Sequence, residues 1–598
     1  VLIRRLQEHG VYLEHVGGDT EWYRLLPLFK DVLEREAAER FDDDAIAELH
    51  KKAAEWHEQT GLTETAIQHA IASNNRSLMV RLITEAAPGY LKDGRLATLA
   101  NWYQALPTNI RETSPELLCA AFWAFLYTFR LDEAKYTREA AQAYAEDIGE
   151  TTLTIMSGML NTFSANHEAF SQEAAAMTES VKKAEGVPRH TGNVGLAYYH
   201  IQKRDFESAR RHILESQVND VDTDRLWSHP NPQLFSATIT ALKGNVSAAL
   251  SALIELADAE RRDVAAYPVR SASLLATYGA FLAETGALDD AETILSDSLS
   301  MILSWSPPDW VALPHLALHD IKSQKNQPAA AAKILDSLEV YARKINDNRI
   351  LASIAAKRSV DAMLNGYIDT GIQILEAAHG SGLSDRVADM QLISSELLDL
   401  DIASVYRFFY ERKYHSALRS LQAAISSASR EQRGWRLIKL HTLKAVIQYE
   451  RGDHRFAKRA LTLALKRAHG TGFAHTFIGT HPLVRDILTD IDASFSQHQL
   501  TDPDAVHQSV RHLLSLYGDD ALLSKMPDEE DTTVDTLTPR ELELLSMVAQ
   551  GLSNGAIADH ASVSQNTVKW HLSRAYQKLG VRQRTHAVVR ARAAGLLT

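Results

Sequence analysis

From about residue 75 to residue 470, apolar side chains recur at the three-to-four-residue spacing of helices. They fall in stretches of ten to sixteen residues separated by short polar turns, and strand-type alternation is almost absent. The stretches are not independent of one another. A turn followed five residues later by a small residue recurs as Arg204 with Ala209, Gly244 with Ala249, Gly286 with Ala291, Asn326 with Ala331, Gly366 with Gly371, Arg412 with Ala417 and Gly452 with Ala457. The steps between turns are 40, 42, 40, 40, 46 and 40 residues, and weaker copies at Phe129 with Ala134 and Asn166 with Ser171 extend the series upstream at 37 and 38. A period near 40 in helical sequence predicts stacked helix pairs. The small residue has a physical role, because two antiparallel helices joined by a tight turn approach closely only where the second presents little side chain.

Outside the repeats the pattern changes twice. Residues 1–70 read as a helix, two short strands around Gly17 and Gly18, and another helix, a winged-helix outline followed by the helix pair in LHKKAAEWHEQTGLTETAIQHAIASNN. Acids and threonines without periodicity at Met526–Thr536 predict a flexible tether. Beyond it, four short helices can be bounded by their own chemistry. Thr538 suits the N-cap, Pro539 the first helical position and Glu541 the third, Leu542, Leu545 and Val548 form an apolar stripe, and Gly551 suits the helix end. Ser553 caps a second helix that buries Ile557 and Ala558, and Ser564 caps a third. In that third helix Val568, Leu572, Ala575 and Leu579 share one face, Gly580 ends it, and Val588 and Val589 help a fourth helix close the core. This is helix-turn-helix spacing.

The repeats resemble tetratricopeptide-like repeats, which imply a superhelical solenoid with a concave surface for peptides, proteins or small effectors. The expected fold class is therefore predominantly all-α. Its expected domains are a winged-helix-like remnant at 1–45, a helical connector at 46–125, the repeat sensor at 126–495, a helical segment and acidic linker at 496–536, and the helix-turn-helix module at 537–598. The aromatic clusters at Tyr406–Tyr410 and at Trp305 and Trp310 read as repeat core, and Trp227–Pro232 as a loop between repeats.

Charge separates the module from the rest. From Leu537 onward it carries eight Lys and Arg (540, 569, 574, 578, 582, 584, 590, 592) against three acids (541, 543, 559), a balance of +5 in a chain of −13 that leaves −18 for the remainder. A basic end on an acidic body is what is expected when nucleic acid is met by the tail alone. No apolar run approaches the roughly 20 residues that span a bilayer, so no membrane partner is expected. The one cysteine, Cys119, cannot form an internal disulfide; its apolar neighbours predict a buried thiol and, with it, a cytoplasmic location. No G-x-x-x-x-G-K-[ST] loop, cysteine cluster or nucleophile elbow is found, and the 25 histidines are scattered. No enzyme activity, cofactor or metal site is expected of this chain.

On the face of the third helix opposite the apolar stripe lie Asn566, Lys569, Trp570, Ser573 and Gln577. Lysine can donate to guanine, and asparagine or glutamine can pair with adenine, in a major groove. Arg582 and Arg584, flanking the start of the fourth helix, could hold phosphates. The run LTPRE, GLSN, IA, NTVK-x-HL, KLGV and a closing GLL resembles the LuxR-type helix-turn-helix. That resemblance implies that Lys569, Trp570 and Ser573 lie in the groove and that Asn554, Thr567, His571 and Lys578 lie at or near the backbone; Arg574 adds to the basic surface. Gly555 stands where the family has Lys or Glu, at a cost of roughly 1 kcal/mol in helix propensity. Trp570 is bulky for a base-reading position.

The order of parts is similar to the large MalT-type regulators, most closely at AELHKKAAEWHEQTGLTETAIQHA and at the end. WYRLLPLF departs from the family's His pair, and Gly479, Thr480 and His481 from its Asp-Glu-Gly. The resemblance implies a bacterial transcriptional activator whose repeats sense an effector or protein ligand, this chain being either the C-terminal part of a longer regulator with an ATPase domain upstream of Val1 or a relative that has lost that domain. Its implied partners are double-stranded promoter DNA, other copies of itself on that DNA, and RNA polymerase. The other class the sequence admits is a helical-repeat scaffold whose terminal module docks on a protein.

Overall fold

The structure is a computed structural model that describes all residues except 1–4, 6–12, 16–22, 218–231, 264–267, 304–305, 388, 498–504, 518–536, 538, 551, 562–567, 569–571, 573–574, 577–578, 580, 582–583, 594–595 and 598. The chain divides into two compact units, one built mainly from residues 1–160 and the other from residue 161 onward. The expected tether at 526–536 and most of the loop at 227–232 lie outside the described residues, as does Trp305.

In the first unit, Leu13–His15 pairs antiparallel with Tyr23–Leu25, the strand pair expected around Gly17 and Gly18. Helices follow at Pro27–Arg40, Asp43–Gln59, Thr63–Ala72 and Arg76–Lys92. Two of their starts are set by side chains: Asp42 accepts from the Ala45 N–H at 2.8 Å and Asn75 from the Leu78 N–H at 3.0 Å. Cys119 is half-buried rather than enclosed, and burial pushes its thiol up to about 11, so it is protonated and unreactive at neutral pH.

The 40-residue series is a series of helix turns. Phe129, Arg204, Gly244, Gly286, Asn326, Gly366, Arg412 and Gly452 all have positive φ; the turn expected at Asn166 is at Ala165, one residue earlier. Most of these turns close through a bond to the carbonyl five residues back, such as Asp205 N–H to His200 at 2.9 Å, Asn245 to Thr240 at 3.1 Å and Asp453 to Gln448 at 2.8 Å. The small residue then seats the second helix. Ala134, Ala209, Ala249, Ala291, Ala331, Ala417 and Ala457 are all buried. At Gly371 the approach is tightest, since a Cβ there would lie 2.5 Å from Met363 Cγ and 2.6 Å from the Ser359 carbonyl oxygen.

The one long step, 46 residues from Gly366 to Arg412, has a structural cause. Between the helices Ile368–Gly380 and Leu400–Tyr410 the chain inserts a two-stranded pair, Arg386–Val387 with Met390–Gln391, and a 3-10 turn at Ile393–Glu396. This insert is held by buried charge. Glu396 accepts from Arg204 Nε at 2.9 Å and from Arg433 Nε at 3.0 Å, while Arg204 also donates to the Leu392 carbonyl at 2.6 Å. Asp309 accepts from Tyr198 Oη at 2.6 Å, Gln202 Nε2 at 2.8 Å and the Ile393 N–H at 2.5 Å. Arg204 thus occupies a left-handed turn position and spends its guanidinium on a segment about 190 residues away.

A second segment, 471–482, folds against the same helices. The Ser247 N–H donates to the Thr471 carbonyl at 2.9 Å and the Ala474 N–H to the Glu284 carbonyl at 2.7 Å. The Glu284 carboxylate accepts from Thr476 N–H at 3.1 Å and Oγ1 at 2.7 Å; Trp435 Nε1 donates to Thr476 Oγ1 at 2.9 Å, and Tyr406 Oη to the Thr480 carbonyl at 2.6 Å. Between the two segments, the helices that begin the later pairs, Pro308–Gln324 and Gly434–Glu450 above all, are buried almost all round. The open concave surface expected of a solenoid is therefore lined in this unit by the chain's own inserts. Tyr406, Phe409 and Trp310 are core, as the sequence predicts.

Candidate nucleic-acid interface

The terminal module has a core of its own. Its first helix spans Pro539–Ala549 and buries Leu544, Leu545 and Val548 together with the Glu541 side chain, so Leu544 rather than Leu542 completes the apolar stripe. The Leu552 N–H bonds to the Met547 carbonyl at 3.2 Å, the five-back bond that ends a helix. The second helix spans Asn554–His560, and its cap is the expected one, Ser553 Oγ accepting from the Ala556 N–H at 3.2 Å. Ile557 and Ala558 face the core.

Further along, Val568, Leu572, Ala575 and Leu579 are buried, in the register that the apolar pattern predicts for the third helix. The Val581 N–H bonds back to the Tyr576 carbonyl at 2.8 Å. Ala587, Val588 and Ala591, from the helix Arg584–Ala593, close the cluster. Among the residues assigned to DNA, Asn566, Thr567, Lys569, Trp570, His571, Ser573, Arg574, Gln577, Lys578 and Arg582 lie outside the described residues, as do Thr538, Gly551, Ser564 and Gly580.

The two assigned residues that are described meet each other. Arg584 Nη1 donates to Asn554 Oδ1 at 2.9 Å, and Nη2 donates to the Leu552 carbonyl. The guanidinium fork therefore ties the start of the fourth helix to the start of the second. A planar fork with two parallel donors fixes direction as well as distance, which lysine cannot do. Arg584 keeps its charge near the start of the second helix, but its geometry is that of a strut. Nothing in the local sequence marks this role, because its partners lie 30 and 32 residues upstream.

Two buried histidines of the repeats have structural uses. His315 and His319 stand four apart on one helix, but His315 Nδ1 bonds to the Val311 carbonyl at 2.7 Å, and His319 is held by the Ala331 carbonyl at 3.0 Å and Asp361 Oδ2 at 2.7 Å. Among the described residues no group of three or more His, Cys, Asp or Glu could hold a metal ion. No described helix is long and apolar enough to cross a membrane.

Fold and site define a predominantly α-helical chain of stacked helix pairs ending in a helix-turn-helix module of the DNA-binding kind. Residues 535–591 match the family described as GerE, bacterial regulatory proteins, luxR family, so the C-terminal module is a LuxR-type helix-turn-helix domain. The match is confined to that module. Two solved structures are similar to longer stretches. One is a crystal structure of a Rap protein complexed with competence and sporulation factor, 12% identical, covering 68% of this chain and 98% of that one with a TM-score of 0.35. The other is a crystal structure of the APC/C hetero-tetramer Cut9–Hcn1, 11% identical, covering 83% of this chain and 98% of that one with a TM-score of 0.33. Neither score carries an argument about what this chain binds.

Proposed function

We propose that this chain is a transcriptional activator whose helical repeats receive a signal and whose terminal module delivers it to promoter DNA. The observation that supports it best is the LuxR-type module at 535–591, with Val568, Leu572, Ala575 and Leu579 turned into its own core. In this reading Lys569, Trp570 and Ser573 read bases, while Thr567, His571, Lys578 and Arg582 hold phosphates. Arg584 holds the second helix, and Asn554 is its partner.

A module this small makes few contacts, so the reading includes self-association that pairs two modules on half-sites about one helical turn apart. RNA polymerase is the expected downstream partner, and the plan as a whole is that of the large MalT-type regulators. The test is selection of duplexes from a randomised pool by the full chain, followed by binding to the selected duplex over a salt series. Log affinity should fall linearly with log salt, with a slope near −0.9 per phosphate contacted. No selected sequence, or affinity flat in salt, refutes the reading and leaves the protein-docking scaffold.

A further inference from the structure

We infer that the exposed face of the last two helix pairs in the 40-residue series is a second contact for duplex DNA, gripping phosphates that flank the site held by the terminal module. The inference rests on the reading in which that module binds promoter DNA. The acidic average of the body conceals this face. Between Arg412 and His469 stand fourteen Lys and Arg against three acids, a balance of +11 in a chain of −13.

The second helices of these pairs, Tyr414–Arg430 and His454–Ala468, contain no acid. Arg419, Arg430, Arg455, Arg459, Lys466 and Arg467 are exposed on them, and none pairs with a carboxylate among the described residues. Earlier pairs are built otherwise: Lys322 and Lys325 meet Glu292, and Arg358 meets Asp336 and Glu339. The acids close to the face are engaged, Glu431 with Arg433 and Asp453 with Arg451, while Glu450 lies beside Tyr410 and Tyr414. The two helices share one surface. Gln422, one turn beyond Arg419, accepts from Lys444 Nζ at 3.3 Å. Burial, aided by the Arg467 and Lys444 charges, pushes the His441 imidazole down to about 4, which sets those two cations around one residue.

From Arg455 to Arg467 the helix runs about 18 Å, a length over which a duplex presents about ten phosphates. Five of the six exposed cations are arginine, whose fork matches phosphate oxygens. Like charges held together repel, and a polyanion relieves the repulsion. A bilayer does not fit, since the helix already buries Ala457, Leu461, Ala464 and Leu465 in the repeat core. Phe456 and Leu463, two turns apart, are too few for the apolar centre of a protein interface. The module's DNA is also within reach of the face. His469 Nδ1 lies 3.3 Å from Ser509 Oγ on the helix Ala505–Leu516, and the 22 residues from there to Pro539 span at most about 80 Å.

The test uses the full chain and the duplex selected for it, offered as the bare site and with about 25 base pairs, roughly 85 Å, of unrelated sequence on each side. At about 0.15 M salt the flanked duplex should bind at least roughly tenfold tighter, with a steeper salt slope. The triple variant Arg455→Gln, Arg459→Gln, Arg467→Gln should lose that advantage and about 2.7 of the slope, at 0.9 per phosphate, with its melt and its base preference unchanged. Equal affinity of the parent for the two duplexes, or a triple variant that keeps the parent's slope, overturns the face; the first result needs no variant to fold. Competition by polyglutamate as strong as by unrelated duplex of equal charge assigns the face to an acidic polypeptide and overturns the inference as well. Failure to select any duplex refutes base reading by the module instead, and steep, sequence-independent binding that the triple variant loses then keeps the face.

Discussion

Replacing Glu396 with Ala should destabilise the second unit by about 3 kcal/mol. The carboxylate sits fully buried between Arg204 and Arg433, at 2.9 Å and 3.0 Å. Removing one partner of a buried ion pair costs about 3–5 kcal/mol because the other charge stays behind. Here two guanidinium groups are stranded, but each retains other acceptors: Arg204 the Leu392 carbonyl at 2.6 Å and Ser395 Oγ at 3.1 Å, Arg433 the Gln391 Oε1 at 3.1 Å. That places the expectation at the lower end of the range. For a unit of this size about 3 kcal/mol corresponds to a fall in melting temperature of roughly 6 °C or somewhat less. Calorimetry gives the shift, and amide exchange should show protection lost first in 383–399. The charge-free triple variant Arg204→Met, Glu396→Leu, Arg433→Met should regain most of the loss, since no buried charge is left unpaired. A Glu396→Ala melt within 1 °C of the parent would refute the claim that this carboxylate anchors the insert.

Other outcomes follow from the same geometry. Burial alone would raise the Glu396 carboxyl, but Arg433 and Arg204 outweigh it and hold it below the ordinary glutamate range. Its contribution is therefore fully present above about pH 4.3 and is lost as pH falls through the lower folded value, which acid melts of parent and Glu396→Gln should reveal as a difference that closes only at low pH. Gly371→Ala should cost about 1–3 kcal/mol, measured by melting, because Met363 and the Ser359 carbonyl leave no room for a Cβ. Arg584→Ala and Arg584→Lys should both lower module stability along with DNA affinity, whereas Arg582→Ala should weaken all duplexes alike with the melt unchanged. Lys569→Ala should cost about 1–3 kcal/mol of binding and relax base preference at one position; equal loss on every sequence would reverse the assignment of faces.

Periodicity made the scaffold legible. Turn residues at 204, 244, 286, 326, 366, 412 and 452, and the small residue five beyond each, report contacts between neighbours in sequence, and these are what a local pattern encodes. The buried register at 568, 572, 575 and 579 was legible for the same reason. What the pattern did not carry is long-range: the interval of 46 announced an irregularity but not that the extra chain turns inward onto Arg204 and Arg433. Arg412 and Arg204 are alike as turn residues, and only one of them reaches a buried carboxylate. Arg584 likewise read as one more cation beside a DNA-binding helix, because charge is visible in a sequence and the partner of a guanidinium fork is not.

The inserts also change what kind of polymer the repeats form. In an ordinary solenoid each repeat touches only its neighbours, so the array can be shortened from an end and can unravel piecemeal. Here Glu284 holds the backbone at 474–476, Ser247 meets Thr471, and Gly434 lies against Lys243 so closely that a Cβ would fall within 2.1 Å of its carbonyl oxygen. Middle and late helix pairs of the array, about 190 residues or more apart in sequence, are thereby stapled. Cutting the chain before residue 470 should consequently loosen the repeats around 240–285 instead of leaving a shorter stable array, and the repeats of the second unit should melt as one cooperative block.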